Sequence, residues 1–410
     1  MSVADTLVSS NDSIAQGKGT THVDPVGAFV PDKSRAERTA SFDVAAFAVP
    51  KGREEEWRFT PVKKLAALFA EGSSPALGWA AELPEGVTTS TITLAQAREL
   101  GILPPQDRAA AVAAAGASEV LLVDIAAEAE PAEAVRLRLD GVGEAVAYGH
   151  VVVRAGHHSK ATVVLDHHGS GRLTELVSVV TGDASELTVV SGQRWDDDAI
   201  HLAQHDALVG RDATYRHISI TLGGQVVRLN ANVRYAGPGG NATLLGVYFA
   251  DAGQHLEHRS FVDHNTPHCK SLVTYKGALQ GRTARTVWVG DALIRAAAEG
   301  TDTYELNRNL ILTDGARADS VPNLEIETGE IAGAGHASAT GRFDDLQLFY
   351  LQARGIPEEE AKRLVVRGFF ADIIRDIPIA DLRDEITAAI EDELASTDYA
   401  APASITNKEN

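Results

Sequence analysis

Any chemistry in this chain has to come from its 14 histidines, its one cysteine and a few carboxylate clusters. His336 is the only imidazole in GEIAGAGHASATGRFDD (329–345), a run made mostly of Gly, Ala, Ser and Thr. On a strand, Ala332, Ala334, His336, Ser338 and Thr340 share one side, and Gly333, Gly335, Ala337 and Ala339 share the other. Both sides are small, which permits close approach of a second sheet or subunit. A neutral imidazole can ligate iron through one nitrogen. One histidine is not a site, however. It needs ligands from elsewhere, which an interface can supply; the competing reading is a hydrogen-bonded structural histidine.

The densest histidine cluster is HLEHRSFVDHNTPHC, with His255, His258, His264, His268 and Cys269 beside Glu257 and Asp263. These types ligate zinc or iron. On a strand His258 and His264 face one way and His255 the other, so turn hydrogen bonds are the expected role. Cys269 reads as a small buried apolar group. His157–His158 and His167–His168 are adjacent pairs whose rings point to opposite faces of a strand, and both read as structural. His201 and His205 would meet only on a helix. Asp196, Asp197 and Asp198 form a tight aspartate run, expected in a solvated loop. GPGG (237–240) is a turn, since no Lys-Ser/Thr and no helix follows it. There is no GxSxG, no P-loop lysine motif and no GxGxxG opening a helix. One cysteine also excludes intramolecular disulfides, a Cys-rich zinc site and the several thiolates that hold a stable iron–sulfur cluster.

The elements that must position these groups fall into blocks. At 410 residues, two or three domains or one elongated repeat body are expected. Residues 1–35 read as a disordered tail and 36–118 as a mostly helical N-terminal domain. In the latter, Glu54, Glu55 and Glu56 look like a solvated helical face, and Leu65, Leu68 and Phe69 have core spacing. From EVLLVDI at 119 the texture changes to short β-branched strands, among them HVVVRA, ATVVLDH, ELTVVSG, QVVRLNANVRY and TVWVGD. A corner recurs at Gly156…Ala161, Gly182–Asp183–Ala184, Gly210…Ala213, Gly240–Asn241–Ala242, Gly281…Ala284 and Gly315…Ala318. The steps between its alanines are 23, 29, 29, 42 and 34 residues, about the size of a stacked coil. We therefore expect a parallel β-helix over 119–342, with alanine packing on alanine at each corner. A propeller lacks its regular motif here, and a sandwich rarely runs to this length.

Helical spacing returns over 343–398, followed by a disordered tail at 399–410. Gly355 suits a helix C′ position and Pro357 the first helical position, with Glu358, Glu359 and Glu360 at the positive end of the dipole. Ala361, Leu364, Val365, Phe369, Ile373 and Ile374 then form a broad apolar stripe, widened by Val366, Phe370 and Ile377. A helix this apolar reads as a docking surface as well as an attachment to the stack, with core packing alone as the alternative. The net charge of −20 and pI near 5.1 argue against nucleic acid and anionic membranes as partners. No apolar run reaches the roughly 18–20 residues that span a bilayer. The first residues lack the basic start and apolar stretch of a signal peptide, so the cytoplasm is expected.

The chain resembles the SufB/SufD family of iron–sulfur cluster assembly proteins, and the SufD branch in particular. The resemblance rests on NRNLILTDGARADSVPNLEIETGEI (307–331), HASATGRFDDLQLFYLQARGI (336–356) and LVVRGFFADII (364–374). It is supported by PKGREEEWRFTPVKKL (50–65) and HNTPHCKSLVTYKGAL (264–279). It implies a mainly β chain, a right-handed parallel β-helix flanked by helical domains, acting as a scaffold without enzymatic activity. It implies a complex with a SufB-like paralogue through the β-helix and with two copies of a SufC-like ABC ATPase. The ATPase would dock on the C-terminal helices, at Phe349, Tyr350, Leu364, Phe369, Phe370 and Ile373. By motif His336 matches the family histidine that contributes to a nascent cluster at the SufB–SufD interface. The implied cargo is a transient iron–sulfur cluster or iron, with no permanently held cofactor. Where relatives often read Cys-Ser-His, this chain has Ala334–Gly335–His336, so any thiolate must come from the other subunit. A homodimer through the same small-residue surface, in the absence of SufB, is a further reading. The rival from a different class is a β-helix polysaccharide-processing enzyme, which wants clustered acids and basic groups on one exposed sheet.

Overall fold

Short β-branched segments broken every ten residues or so by Gly/Asp/Asn corners cannot each bury a face alone; stacking them does. The computed structural model describes residues 38–74, 78–343 and 345–396. The tails expected at 1–35 and 399–410 lie outside the described residues. The strands are β1 (Trp79–Glu82), β2 (Val87–Ile92), β3 (Val120–Ile125), β4 (Val135–Asp140), β5 (Val146–Ala155) and β6 (Lys160–Gly169). β7 (Arg172–Thr181), β8 (Glu186–Trp195), β9 (Ile200–Val209), β10 (Thr214–Thr221), β11 (Val226–Tyr235) and β12 (Asn241–Ala250) follow. The last are β13 (His255–His264), β14 (Lys270–Leu279), β15 (Arg285–Ile294), β16 (Thr301–Ile311), β17 (Arg317–Ile326) and β18 (Ile331–Arg342).

They alternate between two sheets, ordered β1-β4-β6-β8-β10-β12-β14-β16-β18 and β17-β15-β13-β11-β9-β7-β5-β3-β2. Pairing is parallel except for the antiparallel pairs β1/β4 and β2/β3. The result is a β-solenoid of about eight turns, as expected. Each turn donates one strand to each sheet, so the true repeat is a strand pair.

The corners follow a stricter rule than the sequence pattern. At one of the two corners of each turn, one residue takes the left-handed conformation: Glu128 (φ 61°), His158 (54°), Ala184 (54°), Asp212 (55°), Gly239 (77°), His268 (58°) and Gly300 (69°). The N–H of each donates to the next corner: His158 to Asp183 O, Ala184 to Arg211 O, Asp212 to Pro238 O, Gly239 to Pro267 O and His268 to Glu299 O. The expected alanine-on-alanine stack is not what forms. Ala184 is the left-handed residue itself, and Ala161 is aligned with Leu187, then Tyr215, then Ala242. Mixed sizes in one column fill the lumen better than a uniform stack of methyl groups.

The N-terminal region is less helical than its spacing implied. It holds 3-10 turns at Val44–Ala46 and Val62–Phe69, two short helices, α1 (Leu94–Glu99) and α2 (Arg108–Gly116), and the strands β1 and β2. Leu65, Leu68 and Phe69 are buried as expected. Glu54, Glu55 and Glu56 are exposed, but on turns, where the Glu54 carboxylate accepts from the Lys51 and Arg53 amides. Asp107 caps α2 and, buried, also receives Arg228 and Asn230, fixing that helix on the solenoid.

At the other end are α3 (Asp345–Ala353), α4 (Glu358–Arg375) and α5 (Ala380–Ser396). Gly355 takes φ +85° as a C′ glycine does, and Pro357 is the N-cap, one position before its expected place. Val366, Phe370, Ile373 and Ile377 pack on Ile218, Ile220, Val247 and Phe249 of the sheet. Phe370 and Ile373 are therefore withdrawn from the expected docking surface: they are buried anchors, with Phe369 half-buried beside them. Lys276 reinforces the contact by donating to Asp372 (2.7 Å) and to the Phe369 carbonyl (2.9 Å). The exposed members of the expected docking set are Phe349 and Tyr350 on α3 and Leu364 on α4.

Candidate functional site

His336 lies on β18, the last strand of its sheet, which pairs with β16 alone among the described residues. The run is a strand rather than a turn, and its small residues leave the final coil thinly covered. Gly335 lies beneath the outward ring of Tyr304, where an added Cβ would crowd the ring at 3.1 Å. His336 is therefore on the opposite, lumen-side parity, aligned with Glu305.

The column running down the lumen to this point reads Val135, Val163, Val189, His217, Leu244, Val273, Glu305, His336. Filling that is aliphatic apart from His217 gives way to an acid and then an imidazole at the open end. Glu305 is 1% exposed and neither carboxylate oxygen has a hydrogen-bond partner. Burial, helped by the charge of Asp291, pushes its carboxyl well above the usual range. It rests over Gly290, in the space a side chain there would take, next to Trp288, whose indole N–H is also unpartnered. Asn307, Asn309, Ser320 and Thr340 extend this polar lining through mutual hydrogen bonds. His336 is exposed at the rim. Glu305 was missed in the sequence because TYELNRN is polar on both faces, so alternation alone does not say which residues face in.

The 255–269 cluster does not converge. His258 and His264 face the lumen, bonding Thr221 and Ser271, while His255 is outside against Glu257 at 3.3 Å. Burial would raise the Glu257 carboxyl, yet bonds and charge from His255, Arg228 and Arg259 hold it well below its usual range. Cys269 is buried with its thiol near Thr266, and burial pushes that thiol up. His268 is the corner residue already described.

His157 and His158 occupy a corner instead of a strand, with rings 5.6 Å apart. His167 and His168 do point to opposite faces, His168 to Asp166 outside and His167 into the lumen. His201 and His205 share a strand, not a helix, and both face in. His167 and His201 nevertheless meet across the lumen with Glu175, a grouping no sequence spacing displays. Asp196, Asp197 and Asp198 sit exposed on a turn as expected, two of them accepting from Ser170. No described helix is long and apolar enough to cross a membrane.

Residues 137–369 match the family model described as the SUF system FeS cluster assembly SufBD core domain. The chain is 55% identical over 378 residues to an iron–sulfur cluster assembly SufBD family protein of Mycobacterium bovis, covering 89% of this chain and 94% of the relative. It is 28% identical over 194 residues to iron–sulfur cluster assembly protein SufD of Escherichia coli, covering 47% and 45% of the two chains. The corresponding protein SufD of Bacillus subtilis is 27% identical over 253 residues, covering 60% and 57%.

Proposed function

The chain belongs to the SufBD family of iron–sulfur cluster assembly proteins, and from that membership we propose that it is a SufD-like, non-catalytic scaffold subunit. Its β-helix would join a SufB-like paralogue, and its C-terminal helices would dock a SufC-like ABC ATPase. The observation that carries this reading is the exposed, small-residue edge strand β18 with His336 on it. An unpaired edge is a template for another chain, and one imidazole is half of a site.

His336 would offer a neutral nitrogen to iron or a nascent cluster, while thiolate ligands come from the partner, since Ala334 and Gly335 supply none. Glu305 beneath it is a buried carboxyl that can take or release a proton as charge arrives at the rim. The ATPase would sit on Phe349, Tyr350 and Leu364, which are 68%, 56% and 41% exposed. Closure of two ATPase subunits would then shift the paired β-helices against each other and open their shared end. Hydrolysis belongs to that partner, since no nucleotide motif occurs in this chain. The cytoplasm suits such a complex. The polysaccharide-processing alternative draws no support from the Asp196–Asp198 run, which is a solvated turn.

The test is His336→Ala in the complex co-expressed with SufB-like and SufC-like partners. We expect an intact complex whose reconstituted iron–sulfur chromophore falls at least about tenfold, the loss that about 1.4 kcal/mol represents. An intact complex with undiminished chromophore would overturn the assignment.

A further inference from the structure

Three lumen-facing side chains converge near the start of the solenoid: His167 on β6, Glu175 on β7 and His201 on β9, all fully buried. His167 Nε2 is 3.0 Å and His201 Nε2 3.4 Å from the same oxygen, Glu175 Oε2. No two of the three ligand atoms are more than 4.8 Å apart.

The tautomers are fixed by the neighbours. Trp195 Nε1–H, which can only donate, lies 2.7 Å from Gln193 Oε1 and so orients that amide. The same Oε1 is 2.6 Å from His201 Nδ1, much nearer than the Trp195 N–H at 3.3 Å, so Nδ1 carries a proton and donates it to Oε1. His167 Nδ1 is 3.0 Å from the Gly192 carbonyl, an acceptor only, and 3.2 Å from the Gln193 amide nitrogen; the carbonyl is the nearer partner, so Nδ1 donates to it. With both Nδ1 protons held this way, each Nε2 is the remaining ligand atom and both aim at one carboxylate oxygen; the Glu175 carboxylate favours a proton on His167 Nε2 when no metal takes its place. Two lone pairs facing an anion repel each other unless positive charge lies between them. A proton on His167 would relieve one contact only. His201 Nε2 and Glu175 Oε1 have no hydrogen-bond partner of their own.

We propose that His167, Glu175 and His201 bind a resident divalent transition-metal ion, of the zinc or ferrous class, that ties the two sheets together inside the lumen. Two imidazoles and one carboxylate are a known donor set for both ions, and the held Nδ1–H groups are the outer-shell arrangement that metal-ligating histidines use. Ligand–metal distances of about 2.0–2.2 Å place ligand atoms about 3–3.5 Å apart, and the two Nε2–Oε2 separations already meet that. The two ring nitrogens need to draw in by no more than about 1.5 Å. Glu175 Oε1 is free to complete the coordination. The site is separate from the rim at His336: it lies on the strands of the early coils, with no exposed atom for a substrate to reach. It reads as a structural ion trapped as the coils close.

The full-length chain, purified without a histidine tag or chelator, should carry about one equivalent of zinc or iron by elemental analysis; which metal is found distinguishes the two sources. His201→Ala and Glu175→Gln should each fall to background, while His157→Ala, at an exposed corner, keeps the metal. Because the core variants may fail to fold, the unaltered chain is also unfolded in chelator and refolded with Co²⁺. Visible d–d bands of a nitrogen- and oxygen-ligated cobalt centre should appear in one equivalent. A chain that carries no metal when purified, and refolds without cobalt bands, overturns the proposal.

Discussion

Phe370→Ala separates the two faces of α4. Phe370 is wholly buried between α4 and the sheet strands carrying Ile218, Ile220, Val247 and Phe249. Truncating a buried Phe to Ala removes its transfer free energy and leaves a cavity, about 3–5 kcal/mol in all. A stacked body does not unfold in one step, so the readout is native-state hydrogen exchange of the α4 amides. The loss corresponds to protection at least about a hundredfold lower. Leu364, six residues earlier and 41% exposed, is the internal comparison. Leu364→Ala should leave α4 protection within about twofold, as surface changes do, while weakening co-purification with the ABC ATPase. If Phe370→Ala lowers protection less than about tenfold, or if Leu364→Ala lowers it as much, the assignment of inner and outer faces is wrong.

Burial pushes the imidazoles of His150, His217 and His264 down to about 4 and that of His258 to about 3. Each is neutral when folded and gains a proton on unfolding between its folded value and the unfolded value near 6.5, so their contribution to stability is lost as pH falls through that window. Replacing one of them, in His264→Gln, should flatten the slope of local stability against pH between 4.5 and 6 by about 1 kcal/mol per pH unit, read by native-state hydrogen exchange of the β13 amides. An unchanged slope refutes the neutral, buried assignment. At Gly277 a Cβ would overlap the Tyr248 ring inside the lumen. Gly277→Ala should therefore destabilise locally by about 1–3 kcal/mol through overpacking, and a variant whose β14 amides exchange no faster than the parent's would show that the lumen has slack.

The solenoid was legible because its repeat is set by chain geometry: ten-residue strands and tight corners recur, and alternation puts Val163, Val189 and Val273 inside. The corner logic was not, because the left-handed position is held by His158, Ala184, Asp212 and His268 as readily as by glycine. A backbone ladder, not a residue type, selects it. The helical reading of 36–118 failed because Leu65, Leu68 and Phe69 have the same spacing in a 3-10 turn. The apolar stripe of α4 is visible in the sequence, but which half meets the sheet depends on helix phase, so spacing alone leaves Phe370 and Ile373 among the docking residues although both are buried. His336 stood out because everything near it is small. Glu305 and the His167–Glu175–His201 group stayed hidden because their partners come from other coils or the facing sheet, and strand register, not sequence distance, joins them.

A paralogous subunit that closes the solenoid over His336 would do so along the open edge of β18. Hydrogen exchange of Ile331–Arg342 in the isolated chain and in the complex with the SufB-like partner measures this directly. Slowed exchange along β18 on complex formation, with the buried strand β9 unchanged, is the predicted result. A complex that forms while β18 exchanges as fast as before would contradict the account, and would place the partner elsewhere on the chain.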